Sequence, residues 1–187
     1  AFSHLVAHHD ALRLRFTLDH HNHWIQHSLA EKISFVCHEI DLSSSHEHTL
    51  PFDIERESSH IQQSLHITKG PVIKAVLFQC GTSRPQRLLI VIHHLMVDGV
   101  SWRILLDDLE KLYSQLSHGK IPTLPFKTHS YQQWAKALHD YSTSQTLQEG
   151  IPYWQAIENS TESLPIDFNH GPASGETVRT LGVSLTE

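Results

Sequence analysis

Val91-Ile92-His93-His94-Leu95-Met96-Val97-Asp98-Gly99-Val100-Ser101-Trp102 decides how this chain is read. Leading into it, Leu88 to Ile92 is an apolar run, Leu-Leu-Ile-Val-Ile, which suits a central strand buried on both faces. Leading out of it, Trp102, Leu105, Leu106, Leu109, Leu112, Tyr113 and Leu116 recur in steps of three and one. That spacing predicts an amphipathic helix. Ser101 can cap its start, and Gly119 follows its end. Two histidines, a short loop and an Asp-Gly pair therefore lie between a strand and a helix. Loops held by such a scaffold concentrate catalytic groups, and imidazole is well suited to take a proton near neutral pH. Asp98 can turn back and brace the loop through an arginine. Gly99 permits a backbone angle that a side chain forbids. The same residues also read as a histidine pair satisfied at the end of a core strand, and spacing alone leaves both readings open.

Upstream of this stretch, Phe2, Leu5, Val6 and His9 keep helical spacing. Leu12, Leu14, Phe16 and Leu18 then alternate with Arg13, Arg15 and Thr17, the pattern of a half-buried strand. His20-His21-Asn22 is a turn, Trp24 to Leu29 a returning strand, and Ile33 to Ile40 a third strand. Leu42 to Pro51 is a Ser/His-rich loop. Asp53 to Ile67 predicts a helix with Ile54, Ile61 and Leu65 inward, stopped by Gly70-Pro71. Val72 to Cys80 is a strand, and Thr82, Ser83 and Pro85 form the turn after it. Downstream, Ser130 to Ser142 is a helix with Tyr131, Trp134 and Leu138 on one side, and Pro152-Tyr153-Trp154 opens a short helix. Residues 164–176 are a Pro/Gly/Asn connector, and Val178 to Leu185 is a last strand. The fold class is α/β, helices packed on a mixed sheet.

The 187 residues suffice for one domain with a real core. Charged residues are 18% and hydrophobic residues 39%, which excludes a disordered tail, a collagen and a coiled coil. A net charge of −6 offers no basic footprint for nucleic acid and no polybasic membrane patch. No run is long enough for a membrane helix, and no signal peptide is visible. Cys37 and Cys80 lack zinc-pair spacing and read as small buried apolar residues, which points to a reducing cytoplasm. The 18 His are unusual, because their protonation adds 18 positive charges near pH 6. His20, His21, His23 and His27 suggest nitrogen ligands for zinc, but they flank a turn without a cysteine, so no metal is assigned. His46 and His48 read as solvated loop residues. The chain begins Ala-Phe-Ser and stops Leu-Thr-Glu inside what read as regular elements, as a piece of something longer does.

His93-His94-Leu95-Met96-Val97-Asp98-Gly99 resembles the HHxxxDG signature of the condensation-domain superfamily of nonribosomal peptide synthetases, relatives of chloramphenicol acetyltransferase with its shorter HxxxDG. His9-Asp10-Ala11-Leu12-Arg13-Leu14-Arg15-Phe16 resembles the upstream RHExLRxxF motif, with His8 where the leading Arg stands. The interval between the motifs is family-like, and the resemblance covers essentially the whole chain. Val97-Asp98-Gly99-Val100-Ser101-Trp102-Arg103-Ile104-Leu105-Leu106 is similar to the VDGVSWRILL stretch of epimerization domains. Residues 125–135 are similar to their PxKTxSxxxWA segment. Tyr153-Trp154 and Leu164-Pro165-Ile166-Asp167 fit the same subtype.

The resemblance implies a V-shaped pseudo-dimeric domain of two acetyltransferase-like two-layer sandwiches, with the active site in a tunnel between them. Residues 1–187 correspond to most of the first half, truncated at both ends. The second half supplies a glutamate in epimerization domains, and no residue here takes that role, so the isolated chain is expected to be inactive. The implied substrate is an aminoacyl or peptidyl thioester on the 4'-phosphopantetheine of a peptidyl carrier protein. His94 is the implied acid/base for inversion from L to D in peptide antibiotic biosynthesis. His93 is then structural, Gly99 conformational, and Asp98 a brace whose candidate salt-bridge partners are Arg13 and Arg15, which also read as surface strand arginines. Trp102 reads as core. The implied partners are the carrier protein and neighbouring synthetase domains, with no cofactor of the chain's own, no nucleic acid and no membrane. Two other readings stay open: a peptide-bond-forming condensation domain, in which His94 assists attack of an acceptor amine, and a non-catalytic carrier-docking half-domain.

Overall fold

The computed structural model describes residues 1–30, 35–160, 171, 179–180 and 182–183. The connector 164–176, the strand 178–185 and the first positions of the strand predicted from Ile33 fall, apart from those isolated positions, outside the described residues. The chain forms two units, Ala1–Ala135 and Lys136–Glu187. No helix among the described residues is long and apolar enough to cross a membrane.

The first unit opens with helix α1, Phe2–His8, and a single 3-10 turn, Asp10–Arg13. Strand β1, Leu14–Leu18, therefore starts later than the alternation from Leu12 suggests, because Leu12 and Arg13 are taken up in that turn. β1 pairs antiparallel with β2, Trp24–Ser28, in the register Leu14↔Ser28 to Leu18↔Trp24. Asp19 closes the expected turn: its Oδ1 accepts the backbone N–H groups of His21 and His23, both at 2.8 Å.

The second sheet has the order β3-β4-β5, with β3 Cys37–Asp41, β4 Ile73–Gln79 and β5 Arg87–Ile92. β3 runs parallel to β4, so a crossover is needed. Helix α2, Leu50–Gln63, lies in it. α2 begins before the predicted Asp53 because Pro51 sits in its first turn, where the missing proline N–H has no partner to lose. β4 and β5 pair antiparallel, Ile73↔Ile92 to Phe78↔Arg87.

The sheet is mixed, as expected, but the strand buried on both faces is β4. Ile73 joins a core with Leu5, Val6, Leu12, Val97, Leu105 and Leu112, against which Ile92 packs. Val76 and Phe78, of the opposite parity and so on the opposite face, join Leu42 and Cys80, with Ile54 and Ile61 of α2 packed on them. Helices thus cover both faces of β4. The apolar run of β5 pairs on one side only among the described residues, and Leu88 is 50% exposed.

Helix α3 is Gly99–Ser117, with the backbone N–H of Gly119 bonding Leu116 O just past its end. Its inward residues are Leu105, Asp108 and Leu112, with Trp102 and Leu109 half-buried against the same core. Leu106, Tyr113 and Leu116, also expected inward, face solvent. Leu106 and Tyr113 each stand about 100° around the helix from Leu105 and Leu112, outside a single apolar stripe. α4, Tyr131–Ser142, runs from the first unit into the second, and α5 is Gln145–Ser160. α5 starts earlier than its expected opening at Pro152, which lies in its interior.

Candidate active site

The HHxxxDG-like loop is pinned at every second or third residue. The backbone N–H of His93 extends the sheet by bonding Val72 O at 2.9 Å, and Met96 N–H closes a turn onto His93 O at 2.9 Å. The N–H of Leu95 donates to His93 Nδ1 at 3.2 Å. That bond gives the ring a place in the loop's own framework. Met96 and Val97 are buried, and Val97 belongs to the main core. His94 lies between these anchors, exposed, with no hydrogen-bond partner among the described residues. The loop thus holds an imidazole on a fixed backbone while leaving its ring open to a reacting group.

Asp98 ends the loop as the N-cap of α3. Its Oδ1 accepts from Ser101 N–H at 2.7 Å and Ser101 Oγ–H at 2.6 Å. Bonds from the Ser101 hydroxyl and backbone N–H hold the Asp98 carboxyl below the usual carboxylate range. The cap is therefore Asp98, with Ser101 as its donor, where the sequence suggested Ser101. Neither Arg13 nor Arg15, the candidate partners, meets Asp98. Arg13 is 3% exposed and donates to Val6 O at 2.8 Å, Ala7 O at 2.6 Å, Leu29 O at 3.2 Å and Asp10 Oδ1 at 2.7 Å. Arg15 donates to Leu14 O at 2.7 Å, and its guanidinium lies where a Cβ on Gly70 would be. Gly99 carries no positive φ, and a Cβ there would meet nothing. The first turn of a helix asks nothing special of its backbone, so the conformational role expected for Gly99 is not needed in this chain.

The upstream motif builds a second group of titratable side chains. Asp10 bonds Arg13 on one side and Lys127 Nζ on the other, at 2.7 and 2.8 Å. Burial pushes its carboxyl up, but the hydrogen bonds from Lys127 and Arg13 outweigh that and hold it low. His9 Nε2 lies 2.9 Å from Oδ2 of Asp108, a residue only 6% exposed. His8 stands edge-on to His9, ring centroids 5.0 Å apart. Burial, and then the neighbouring His9, lower the His8 pKa. These residues border a cavity of about 1200 Å³, whose other wall is the segment Pro125–Ala135. Ser130 opens α4 there with a reciprocal cap: Gln133 N–H donates to Ser130 Oγ at 3.2 Å, and Ser130 N–H donates to Gln133 Oε1 at 2.9 Å. His94 does not line this cavity.

Sequence reading missed Asp108. Its signal was a carboxylate on the inward stripe of α3, between Leu105 and Leu112, where a charge needs a partner. The partner, His9, is 99 residues away in sequence, so spacing could not supply it. His20, His21, His23 and His27 do not assemble a ligand set: the group of three potential ligands among the described residues is His8, His9 and Asp108. Cys80 is buried as expected, but Cys37, on strand β3 at the sheet edge, is exposed.

The family model described as Condensation domain matches residues 1–185. A linear gramicidin synthase of Brevibacillus parabrevis is 42% identical over 189 residues, covering 100% of this chain and 2% of that protein. The crystal structure of the epimerization domain from the third module of tyrocidine synthetase B superposes with a TM-score of 0.81 at 34% identity, covering 92% of this chain and 38% of that one. The first condensation domain of the calcium-dependent antibiotic synthetase, in complex with a substrate analogue, shares the fold with a TM-score of 0.68 at 20% identity, over 86% of this chain and 38% of that one. The chain thus spans a small fraction of the large synthetase it matches and under half of each solved domain. On the family model and the 34%-identical solved domain together, this chain belongs to the condensation-domain family of nonribosomal peptide synthetases.

Proposed function

We propose that this chain is the histidine-bearing half of an epimerization domain, inverting the α-carbon of an aminoacyl or peptidyl thioester carried on a peptidyl carrier protein. The observation that carries the reading is His94: exposed, without a hydrogen-bond partner among the described residues, and held on a loop anchored by Met96, Val97 and the Asp98 cap. A thioester acidifies its α-proton. A neutral His94 imidazole takes that proton to leave an enolate, and a proton delivered to the opposite face gives the other isomer. The second proton carrier lies outside this chain and would come from the other half of the domain. An ordinary carboxyl and an ordinary imidazole differ by about two pKa units, so the assembled site must bring them together.

Two observations favour epimerization over condensation. The VDGVSWRILL-like stretch is the one that forms the loop end and the start of α3. The likeness to the epimerization domain is also greater, in identity and in superposition, than to the condensation domain described above. Carrier protein and neighbouring synthetase domains are the partners on this reading. The phosphopantetheine arm belongs to the carrier, and the cytoplasm keeps the exposed Cys37 thiol reduced.

The test uses the full-length protein that contains this chain and a carrier protein loaded with an L-aminoacyl or L-peptidyl thioester, incubated in heavy water. Deuterium at the α-carbon together with the D-isomer is expected. Amide formation with an added acceptor, and no exchange, would move the assignment to condensation. Neither reaction from a folded protein that still binds the carrier would favour docking alone.

A further inference from the structure

We propose that His8, His9 and Asp108 form a binding site for one divalent transition-metal ion of the zinc type, separate from the His93–Asp98 loop. Each residue offers one ligand atom, and these atoms all lie within 4.8 Å of one another. Ligand atoms around a tetrahedral zinc, at about 2.0–2.2 Å from the metal, are roughly 3.4 Å apart. The ligand atoms therefore already lie within reach of one ion.

The supports of the three ligands are rigid. His8 is the last residue of α1, and His9 is its C-cap with extended backbone, φ −89° and ψ 104°, so two successive rings fan out from one helix end. Asp108 comes from the inward face of α3, and Leu5 and Val6 of α1 share a core with Leu105 and Leu112 of α3. Ligands carried on packed helices keep their geometry better than ligands on loops. A buried carboxylate also calls for a cation or a hydrogen-bond donor beside it, and Oδ2 of Asp108 already faces His9. Lys111 Nζ lies 3.7 Å from Oδ1 of Asp108 and leaves Oδ2 to the cluster, while Lys127 on the cavity wall is held by Asp10 at 2.8 Å.

Two nitrogens and one oxygen suit zinc, cobalt, nickel or copper better than the all-oxygen shells of calcium and magnesium. Three protein ligands leave a fourth position, here beside the 1200 Å³ cavity that His8, His9 and Asp108 all line. Among the described residues, the exposed histidines of the β1–β2 turn find no such third ligand.

The experiment is equilibrium dialysis of the full-length protein against Zn²⁺, and then against Co²⁺ with visible spectroscopy. Wild type is expected to hold one ion more per chain than His8→Gln, and to show the intense visible bands of four-coordinate Co²⁺. His8→Gln is the clean variant, because it leaves the His9–Asp108 hydrogen bond intact, and circular dichroism checks its fold. Asp108→Asn should weaken binding at least tenfold as well. A double variant, His20→Gln with His23→Gln, should leave binding unchanged. Equal stoichiometry and affinity in wild type and His8→Gln would overturn the proposal, as would a loss of binding that follows the turn histidines. Neither result bears on His94.

Discussion

Helix α3 carries two histidine sites that were built in opposite ways. At its first turn, the His93–Asp98 loop is assembled from neighbours: every bond that shapes it, except the one to Val72, joins residues within four positions of each other. At its third turn, Asp108 meets His9 across 99 positions, through the packing of α1 on α3. The local site leaves its histidine exposed. The long-range site buries its carboxylate, and the Asp10, Arg13 and Lys127 group lines the same cavity. The contrast teaches where each site is vulnerable. A locally built loop loses chemistry when one side chain is removed and keeps its fold. A group assembled over distance loses structure first.

Substitutions at three positions probe that contrast. The largest effect is expected on activity. On the function proposed above, His94→Ala should lower isomerization of the carrier-bound thioester by about 100-fold or more, the usual contribution of general acid–base catalysis. Its urea midpoint should match wild type. Retained turnover would remove His94 from the reaction, and a matching loss of stability would make the loop structural.

The second effect is on stability. Arg13→Ala strips donors from Val6 O and Ala7 O in a buried place and should cost about 3 kcal/mol, read from urea unfolding. Arg13→Lys should recover little of it, because one ammonium cannot reach four acceptors in two directions. A wild-type midpoint in Arg13→Ala would show that the upstream group is as dispensable to the fold as the loop histidine.

The smallest effect belongs to Asp98. Its ionised carboxyl caps α3 and titrates below the ordinary value. A depressed carboxyl stabilises the fold above its ordinary pKa, and that stabilisation is lost as the pH falls through the depressed one. Asp98→Ala should therefore melt modestly below wild type at neutral pH, and the two melting curves should converge below about pH 4. A gap that persists in acid would mean that Asp98 acts otherwise than as an ionised cap.

The elements on either side of the site were legible because their patterns are local. The steps of three and one from Trp102 to Leu112 yield α3, and alternation yields β1 and its hairpin. Errors arose where an apolar run has the same composition at the centre of a sheet as at its edge. Leu88 to Ile92 reads as a central strand, yet β4 takes that place because the crossover through α2 returns the chain beside β3. The brace expected between Asp98 and Arg13 or Arg15 failed for a similar reason. Ser101 is three residues away and already satisfies the carboxylate, while Arg13 is claimed by the carbonyls at the end of α1.

By itself the sequence determined the loop with its two histidines and the helix that follows, because hydrogen bonds between near neighbours and a 3.6-residue period are written in consecutive positions. Only the tertiary structure decided that Asp108 faces inward to His9, that Arg13 closes α1, and that Lys127 reaches Asp10. Those contacts depend on which surfaces pack together, and burial then sets how strongly each charge must be answered.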